Sequence, residues 1–380
     1  MKHSLLAATI LLASSNLSAA TIVNDETSFK QAMTQANENI TINEIVFAKN
    51  ARINLSAPII YTGKQDLSLR GNGVLIDGQK AGGFSIAKDL TATTKDGSLV
   101  FNSSGNISIE QLTLLNSASR GIVINIPSDA IGDDIQVSLD KVRVFHSALY
   151  GLHIDDNADE FDTGMLGSNI GIKLTISSSS FVANGVGAID FDGIRVDERS
   201  KGSITAVITD THIDANGADG IELDEAGEGD VNATFKNVTL NSNGFYNMRD
   251  LDDGFDIDEA GEGDVNVTIS HVQANNNMDA GLDFDESDAG SINASISKTK
   301  VNGSYDDGIQ LSELGTGHIE VTLKKVSVAN STNYGVKIEQ WLVKGEDQIA
   351  EKPGALKTKK LKLKNNGKDN QMKLHNMNLN

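Results

Sequence analysis

The feature that most constrains the fold of this chain is a repeat in its second half. Each copy has a glycine, an apolar residue, a variable residue and a second apolar residue, and the copies begin at Gly193, Gly220, Gly254, Gly281, Gly308 and Gly335. The successive spacings between these glycines are 27, 34, 27, 27 and 27. Weaker copies begin at Gly121 and Gly151. A nearly fixed period of this length predicts a solenoid, in which each repeat packs on its neighbours.

Three short stretches inside each repeat alternate between apolar and polar residues. In the repeat that begins at Gly220 they are residues 221–224, 231–235 and 238–240. Alternation with a period of two indicates strands that have one buried face. Three strands per repeat predict a coil in which every strand pairs in parallel with its equivalent one repeat later. The predicted fold is therefore all-β, a right-handed parallel β-helix with coils of about 27 residues.

Two further patterns bear on how the coils are closed and stacked. Residues 28–36 predict a short amphipathic helix after polar capping residues, which would cover the open edge of the first coil. Asparagines recur at nearly the same place in successive repeats, commonly next to glycine, and predict a stacked side-chain ladder. They are Asn184, Asn216, Asn243, Asn277, Asn302 and Asn330.

The N-terminal residues predict export from the cytoplasm. Residues 1–20 have a basic start, an apolar run at 5–12 and small residues at their end, as in a secretory signal peptide. The apolar run is too short to span a bilayer, and the chain has no cysteine. We expect a soluble monomer that is secreted or periplasmic, with a β-helix domain at residues 21–343 and a basic C-terminal cap or tail at 344–380.

Several of these features together resemble the pectate-lyase-like superfamily of parallel β-helix proteins. They are the signal peptide, the capping helix, the segment from Ile45 that ends with GNGVLIDG at residues 71–78, and the coils that begin with Asp-Gly-Ile. The resemblance covers nearly all of residues 21–341. It implies a right-handed parallel β-helix in a superfamily that includes lyases, hydrolases and non-catalytic adhesins.

The acidic residues are concentrated in one part of the chain. The formal net charge is −20, and residues 219–288 hold 19 aspartates and glutamates against two basic residues. An electric field of this sign repels nucleic acids and anionic membranes and attracts cations. We therefore expect neither a nucleic acid nor a membrane as a partner.

The strand after each repeat glycine places many of these acids in register. Its first and third residues are apolar and are predicted to face the core, so the second and fourth face outward. Stacked coils then align the outward residues in two columns. The first column is His153, Arg195, Glu222, Asp256, Asp283, Gln310 and Lys337. The second column is Asp155, Asp197, Asp224, Asp258, Asp285, Ser312 and Glu339.

The two columns predict a metal site. Carboxylates on neighbouring rungs repel one another unless they bind cations or hold protons. Because the candidate ligands are all oxygens, Ca²⁺ is the predicted ion. The predicted ligands are Asp197, Glu222, Asp224, Asp256, Asp258, Asp283 and Asp285. The alternative is a solvated acidic face without a bound ion.

Two insertions interrupt the regular period, at residues 156–171 and 245–252, and both flank the acidic columns. Long loops on a rigid framework are common places for binding sites. In the second insertion, Tyr246 is predicted to stack on a sugar ring and Arg249 to bind a carboxylate. Anchoring of the loop is the alternative role of Tyr246.

These residues together favour a polysaccharide lyase that cleaves an acidic, uronate-containing exopolysaccharide such as that of a biofilm matrix. β-Elimination requires that the uronate carboxylate be neutralised, by a metal or another cation, before a base removes the C5 proton. By resemblance to calcium-dependent lyases of the superfamily, Arg195 is the predicted base, and His153 or Tyr246 assists it. The alternative is that Arg195 only neutralises Glu222 and Asp197 in a surface ion pair.

Two other functions fit the same sequence. An inverting glycoside hydrolase would use paired carboxylates, such as those of Asp219 and the Asp252-Asp253 pair. A non-catalytic calcium-binding surface or matrix protein would use the acidic columns for metal alone, and its Asp-Gly pairs would be turn residues. The three hypotheses differ in their products: unsaturated uronate for a lyase, new reducing ends for a hydrolase, and neither for a binding protein.

Overall fold

The computed structural model describes residues 21–81, 96–157, 166–246, 251–343, 352–368 and 372–380. Residues 1–20, which carry the signal-peptide prediction, lie outside this part of the chain. Among the described residues, no helix combines the length and the apolar character that crossing a membrane would require.

The strands form two long sheets in which neighbouring strands run parallel. The first, which we call the acidic sheet, has eleven strands: Ile59–Tyr61, Gly97–Asn102, Arg120–Asn125, Leu152–Asp155, Ile194–Glu198, Ile221–Glu225, Phe255–Gly261, Leu282–Asp288, Ile309–Gly315, Val336–Trp341 and Met372–His375. The second, which we call the broad sheet, has twenty strands: Thr21–Val23, Glu44–Phe47, Arg52–Asn54, Leu67–Asp77, Ile107–Leu115, Ile135–Asp140, Arg143–Phe145, Ile172–Ser177, Ser180–Val182, Ile204–Asp214, Val231–Asn241, Val265–Ser270, Gln273–Asn275, Ile292–Ser297, Lys300–Asn302, Ile319–Lys324, Ser327–Ala329, Gly354–Lys359, Lys362–Lys364 and Met377–Leu379. The predicted all-β parallel β-helix is confirmed.

Strand pairing in the acidic sheet follows the sequence repeat. Ile194 pairs with Ile221 across a repeat of the shorter length, and Ile221 pairs with Phe255 across the longer one. The additional residues of the longer repeat therefore lie outside the strands, and beyond them Leu282 pairs with Ile309 at the shorter spacing again. The register of the sheet is unchanged by the insertion.

Apolar side chains fill the inside of the coils. The first and third residues of the central strands of the acidic sheet are fully buried: Ile194, Val196, Ile221, Leu223, Phe255, Ile257, Leu282, Phe284, Ile309 and Leu311. The ring of Phe255 also stacks on that of Phe235 from the broad sheet, with ring centroids 4.2 Å apart. Burial of each side chain of this kind contributes about 1.5–3 kcal/mol to folding.

The repeat glycine is required where successive coils approach one another most closely. A Cβ atom at Gly220 would lie 2.7 Å from Nδ2 of Asn243 and even closer to the carbonyl oxygen of Gly254. Contacts this short do not occur between real side-chain atoms, so any larger residue would push the coils apart. This explains why a glycine begins each of these strands.

An N-terminal helix, Glu26–Glu38, covers the first coil and confirms the predicted capping helix. The side chain of Asp25 accepts a hydrogen bond from the backbone N–H of Ser28, and the Oγ of Ser28 accepts one from the backbone N–H of Asp25, so N–H groups that the helix leaves free are satisfied. Phe29 and Met33 point into the core, and the ring of Phe29 contacts that of Phe47 edge-on at 4.8 Å.

The C-terminal segment continues the same pairing. Glu320 pairs with Ala355, Lys337 pairs with Lys373, and Leu356 pairs with Leu379. The parallel sheets therefore extend past residue 343, where the sequence analysis ended the β-helix domain. The indole of Trp341 stacks on the ring of His375 at 3.5 Å between centroids and joins the last two rungs of the acidic sheet.

The asparagine ladder is present at four of its six predicted positions. After the first member, each amide oxygen in it accepts N–H bonds from the preceding asparagine, with N···O distances of 3.0–3.3 Å. The members are Asn184, Asn216, Asn243 and Asn277. The prediction was wrong for Asn302 and Asn330, which bond to each other in a separate and more exposed row.

Candidate active site on the acidic sheet

The structure aligns the two predicted columns in register. Direct pairing joins His153 to Arg195, Arg195 to Glu222, Glu222 to Asp256 and Asp256 to Asp283. The same rungs align the second column, which contains Asp155, Asp197, Asp224, Asp258 and Asp285. Neighbouring rungs of a sheet are about 4.8 Å apart, so the carboxyl groups in each column lie close together.

Several of these side chains are outside the apolar core and yet shielded from solvent. His153 and Asp197 are each 3% exposed, and Glu222 is 6% exposed. Burial disfavours the charged forms of these groups, so each ionised side chain here needs a partner.

Arg195 is the principal partner of the carboxylates. Its guanidinium bonds to Asp197 and to Asp224 at 2.6 Å each, and it forms a third ion pair with Glu222. Arg199, which the sequence analysis did not single out, bonds to the same carboxylate of Asp224 at 2.5 Å. Two arginines and three carboxylates thus form one buried ion-pair network.

This network keeps the guanidinium of Arg195 in its charged form. Burial alone would lower the pKa of the guanidinium, but the charges of Asp197, Glu222 and Asp224 outweigh it and raise the pKa well above its ordinary value. A guanidinium held by three carboxylates has no free lone pair with which to take up a proton. The contacts of Arg195 are those of a charge-neutralising group, and its predicted role as a base stays a prediction.

His153 lies at one side of the network, next to Asp197. Its Nε2 lies 3.0 Å from Oδ2 of Asp197, and its ring packs on that of Tyr150 at 4.6 Å between centroids. Burial is the largest influence on His153 and lowers its pKa, while the hydrogen bond to Asp197 acts in the opposite direction. The guanidinium carbon of Arg120 lies 5.4 Å from the centre of the Tyr150 ring on the same side of the network.

A cleft of ≈ 460 Å³ opens beside this network. Its lining residues are Tyr150, Asp190, Arg195, Asp219, Glu222, Asp224, Leu251, Asp252, Asp253, Asp256 and Asp258. Eight of these eleven residues carry carboxyl groups. A recess of equal volume on the broad sheet is lined by amides, hydroxyls and aliphatic groups, with Glu320 and Lys357 as its charged residues. Of these two recesses, the cleft therefore holds most of the carboxyl groups that could transfer protons.

Several carboxyl groups in the cleft hold protons more tightly than in water. Burial is the first cause, and it raises the pKa of Glu222, Asp253 and Asp256 well above the ordinary values. Neighbouring carboxylates raise these pKa values further, as Asp258 does for Asp256, whereas Arg195 acts in the opposite direction on Glu222. Burial and Asp224 also raise the pKa of Asp258, but Arg195 and Arg199 act against them.

Two groups of three acids at the cleft have carboxylate oxygens close enough together to bind one ion. Carboxylate oxygens of Glu222, Asp256 and Asp258 lie within 4.8 Å of one another, and the same holds for Asp253, Asp256 and Asp283. These groups include four of the seven predicted metal ligands and have the oxygen donors that Ca²⁺ prefers.

The described residues of the second insertion differ in their relation to the cleft. The backbone N–H of Tyr246 donates to the carbonyl oxygen of Gly217 at 3.0 Å, and its side chain is exposed and outside the cleft lining. Leu251 and Asp252, from the end of the insertion, do line the cleft. Arg249 lies outside the described residues.

A third row of acids on this sheet was missed by the sequence analysis. It lies at the fifth residue of the strands, on the inner face, and we call it the inner glutamate row: Glu198, Glu225, Glu259, Glu286 and Glu313. Each is at most 2% exposed and accepts the backbone N–H of the glycine four residues later, at 2.7–3.2 Å.

Burial raises the pKa of these inner glutamates to about 8 for the first four and to about 7 for Glu313. A signal for the row was present in the sequence. Residues 224–232 and 258–266 are identical, and both contain the glutamate and its glycine.

The comparisons with known proteins concern the fold. No family model matches the chain, and no curated protein matches its sequence. Among solved structures, the catalytic domain of a GH87 alpha-1,3-glucanase in complex with tetrasaccharides is similar, with a TM-score of 0.50 and 13% identity over 97% of this chain and 69% of that one. The periplasmic alginate epimerase AlgG has a TM-score of 0.46 and 11% identity over 94% of this chain and 83% of its own. Both are parallel β-helix proteins.

Proposed function

We propose that this protein is a polysaccharide-active enzyme that hydrolyses glycosidic bonds in the acidic cleft. The observation that carries the proposal is the group of Glu222, Asp256 and Asp258, whose oxygens lie within 4.8 Å of one another at the cleft wall. Glycoside hydrolysis requires one carboxyl group that holds a proton and a second that is ionised. The different surroundings of these acids supply both kinds.

Asp256 is the proposed general acid, because burial and its acidic neighbours favour the protonated form. Asp258 is the proposed nucleophile or base, because Arg195 and Arg199 oppose the rise in its pKa that burial and Asp224 cause, and its side chain is the more exposed of the two. Retaining enzymes place their two carboxyl groups about 5–5.5 Å apart and inverting enzymes about 6.5–9.5 Å apart. An oxygen-to-oxygen approach within 4.8 Å is nearer to the retaining separation than to the inverting one, so we expect retention of configuration.

The fold comparison supports a saccharide as the substrate. The glucanase catalytic domain that shares this architecture was solved with tetrasaccharides bound. An open cleft along stacked strands suits an extended chain of sugar rings, and the ring of Tyr150 offers a flat apolar surface in its wall. A neutral or cationic polysaccharide fits the eight carboxyl groups better than a polyuronate does, since like charges repel.

A calcium-dependent lyase is a second candidate, and one specific observation favours it. Oδ1 of Asp283 is buried and has no hydrogen-bond partner among the described residues, although buried polar atoms almost always have one. Asp253, Asp256 and Asp283 would hold the ion, and bound calcium would neutralise the carboxylate of a uronate. In that case the sugar would be acidic, as the sequence analysis predicts.

Product analysis on a panel of neutral, amino-sugar and uronate polysaccharides, with calcium or with a chelator, tests the proposal. We expect new reducing ends without ultraviolet absorbance from unsaturated uronate, and retention of the anomeric configuration. Calcium-dependent absorbance would replace the hydrolase with the lyase. Binding without any product would indicate the non-catalytic matrix protein.

Asp256→Asn is the decisive variant, because the amide cannot donate a proton to the leaving oxygen. Its kcat should fall by about 10²–10⁴-fold, the usual contribution of general acid catalysis. The control is Glu320→Gln, which removes an exposed carboxylate from the recess on the broad sheet. Equal activity of both variants would refute the role of Asp256.

A further inference from the structure

A third group of acids has two members that line the cleft and one, Asp192, that does not. Asp192 and Asp219 each precede a repeat glycine and occupy equivalent places in consecutive coils. Glu222 lies on the strand that follows Asp219. Oxygens of the three carboxyl groups lie within 4.8 Å of one another. The exposed fractions of the residues are 0%, 6% and 6%, so water provides little screening between them.

The two carboxylate oxygens of Asp192 have different surroundings. Oδ1 accepts the backbone N–H of Asp219 at 3.0 Å and links the two coils. Oδ2 is fully buried and accepts no hydrogen bond from the described part of the chain. A buried carboxylate oxygen of this kind is costly unless a cation or a donor binds to it. The orphaned atom therefore indicates a missing ligand beside Asp219 and Glu222.

The nearby arginine does not balance the charge of the group. Arg195 pairs with Glu222, but the same guanidinium also bonds to Asp197 and Asp224. Asp219 is instead surrounded by other acids, among them Asp253 in the next coil. The group is thus short of positive charge, and a small cation would supply it without displacing any observed ion pair.

We propose that Asp192, Asp219 and Glu222 form a Ca²⁺ site at the cleft. Calcium binds oxygen ligands at about 2.3–2.6 Å, so ligands on opposite sides of one ion are up to about 5 Å apart, and all three residues can contact the same ion. Asp219 and Glu222 also line the cleft, which gives the ion a route to the site and allows water to complete its coordination. The site is distinct from the group formed by Asp253, Asp256 and Asp283.

Calcium binding to the whole protein, measured without any substrate, tests this inference independently of the proposed function. Asp192→Asn keeps the shape of the side chain and the oxygen that bonds to Asp219, but removes the ligand charge. The matched control is Asp307→Asn. Asp307 also precedes a repeat glycine and accepts a backbone N–H, that of Tyr334 at 2.7 Å, but it lies 3.5 Å from Lys337 and belongs to none of the three-acid groups described above.

Titration calorimetry with Ca²⁺ should show one site fewer, or at least about tenfold weaker binding at one site, in Asp192→Asn than in the wild type and in Asp307→Asn.

Tb³⁺ provides a local readout, since Tyr150 lines the same cleft and can transfer excitation to an ion bound there. Tyr150→Phe should remove most of that emission and leave the calcium affinity unchanged.

Two results would overturn the proposal. One is a wild-type protein that binds no Ca²⁺ below about 1 mM, the weak end of extracellular sites. The other is an Asp192→Asn variant that keeps the stoichiometry and affinity of the wild type. Asp283→Asn separates the two groups, because it should weaken only a site at Asp253 and Asp256 and leave the Asp192-dependent site intact.

Discussion

The outer columns of the acidic sheet and the inner glutamate row are built on the same strands, yet their carboxyl groups are stabilised in different ways. In the outer columns, Arg195 and Arg199 pair with the acids, and the cleft gives access to solvent. In the inner row, each glutamate accepts a backbone N–H from a glycine, as Glu259 does from Gly263. Stacked acids can therefore be stabilised by arginines on one face of a strand and by backbone N–H groups on the other.

The largest effect is expected where the outer network loses its cation. Arg195→Ala leaves three carboxylates without their shared partner in a buried place, and breaking a buried ion pair in this way costs about 3–5 kcal/mol. Urea denaturation of the variant measures the loss. The control is Arg70→Ala, since Arg70 pairs with Glu44 and Glu110 at the surface, where such pairs contribute at most about 1 kcal/mol. Equal losses would mean that Arg195 is not the centre of the network.

A smaller effect is expected from removing one inner glutamate. Glu259→Ala leaves the N–H of Gly263 without its acceptor, and an unsatisfied buried donor costs about 1–3 kcal/mol. Glu262→Ala, three residues later on the exposed surface, should change the free energy of unfolding by less than about 0.5 kcal/mol. If the two variants unfold at the same urea concentration, the hydrogen bond from Gly263 to Glu259 does not stabilise the coil.

A third expected effect is a change in the pH dependence of stability. Burial raises the pKa of Glu313 from 4.5 to about 7, so the folded protein holds a proton that the unfolded chain releases between these values. This contribution to stability is complete below about pH 4.5 and is lost as the pH rises to about 7. Glu313→Gln should make the decline in unfolding free energy shallower by at most about 1.4 kcal/mol per pH unit. An unchanged slope would show that Glu313 is already ionised.

The outer columns should respond to pH with the opposite sign. Burial would raise the pKa of Asp197, but Arg195 and His153 outweigh it and hold the pKa well below its ordinary value of 3.8. The stability that Asp197 contributes is therefore present above that ordinary value and is lost as the pH falls further below it. Denaturation curves at acidic pH separate this contribution from that of the inner row.

The sequence was sufficient to predict the fold because the repeat and the alternation agree. The glycine spacing located each coil, and the apolar first and third residues, such as Ile221 and Leu223, determined which face is buried. The asparagine ladder was only partly predicted, since proximity to glycine does not determine which strand position an asparagine occupies. Strand pairing instead places Asn302 beside Asn275.

The candidate site was harder to predict, for a different physical reason. The columns follow from alternation, but alternation alone predicts an apolar residue where the inner row has glutamate. It also gives no information about Arg199, which follows the last strand residue and turns back to Asp224. Contacts between the end of one strand and the middle of the next depend on side-chain length and direction, which a period does not encode.

The lengthened coil from Gly220 to Gly254 has a consequence for how this architecture can change. Ile221 and Phe255 are paired as directly as Ile194 and Ile221, although more residues separate them. Segments between the strands can therefore be lengthened, shortened or exchanged without disturbing the alignment of the catalytic candidates. Replacing residues 245–252 with a different loop would test whether the ligand selectivity of the cleft can be changed while the acids on the strands keep their positions.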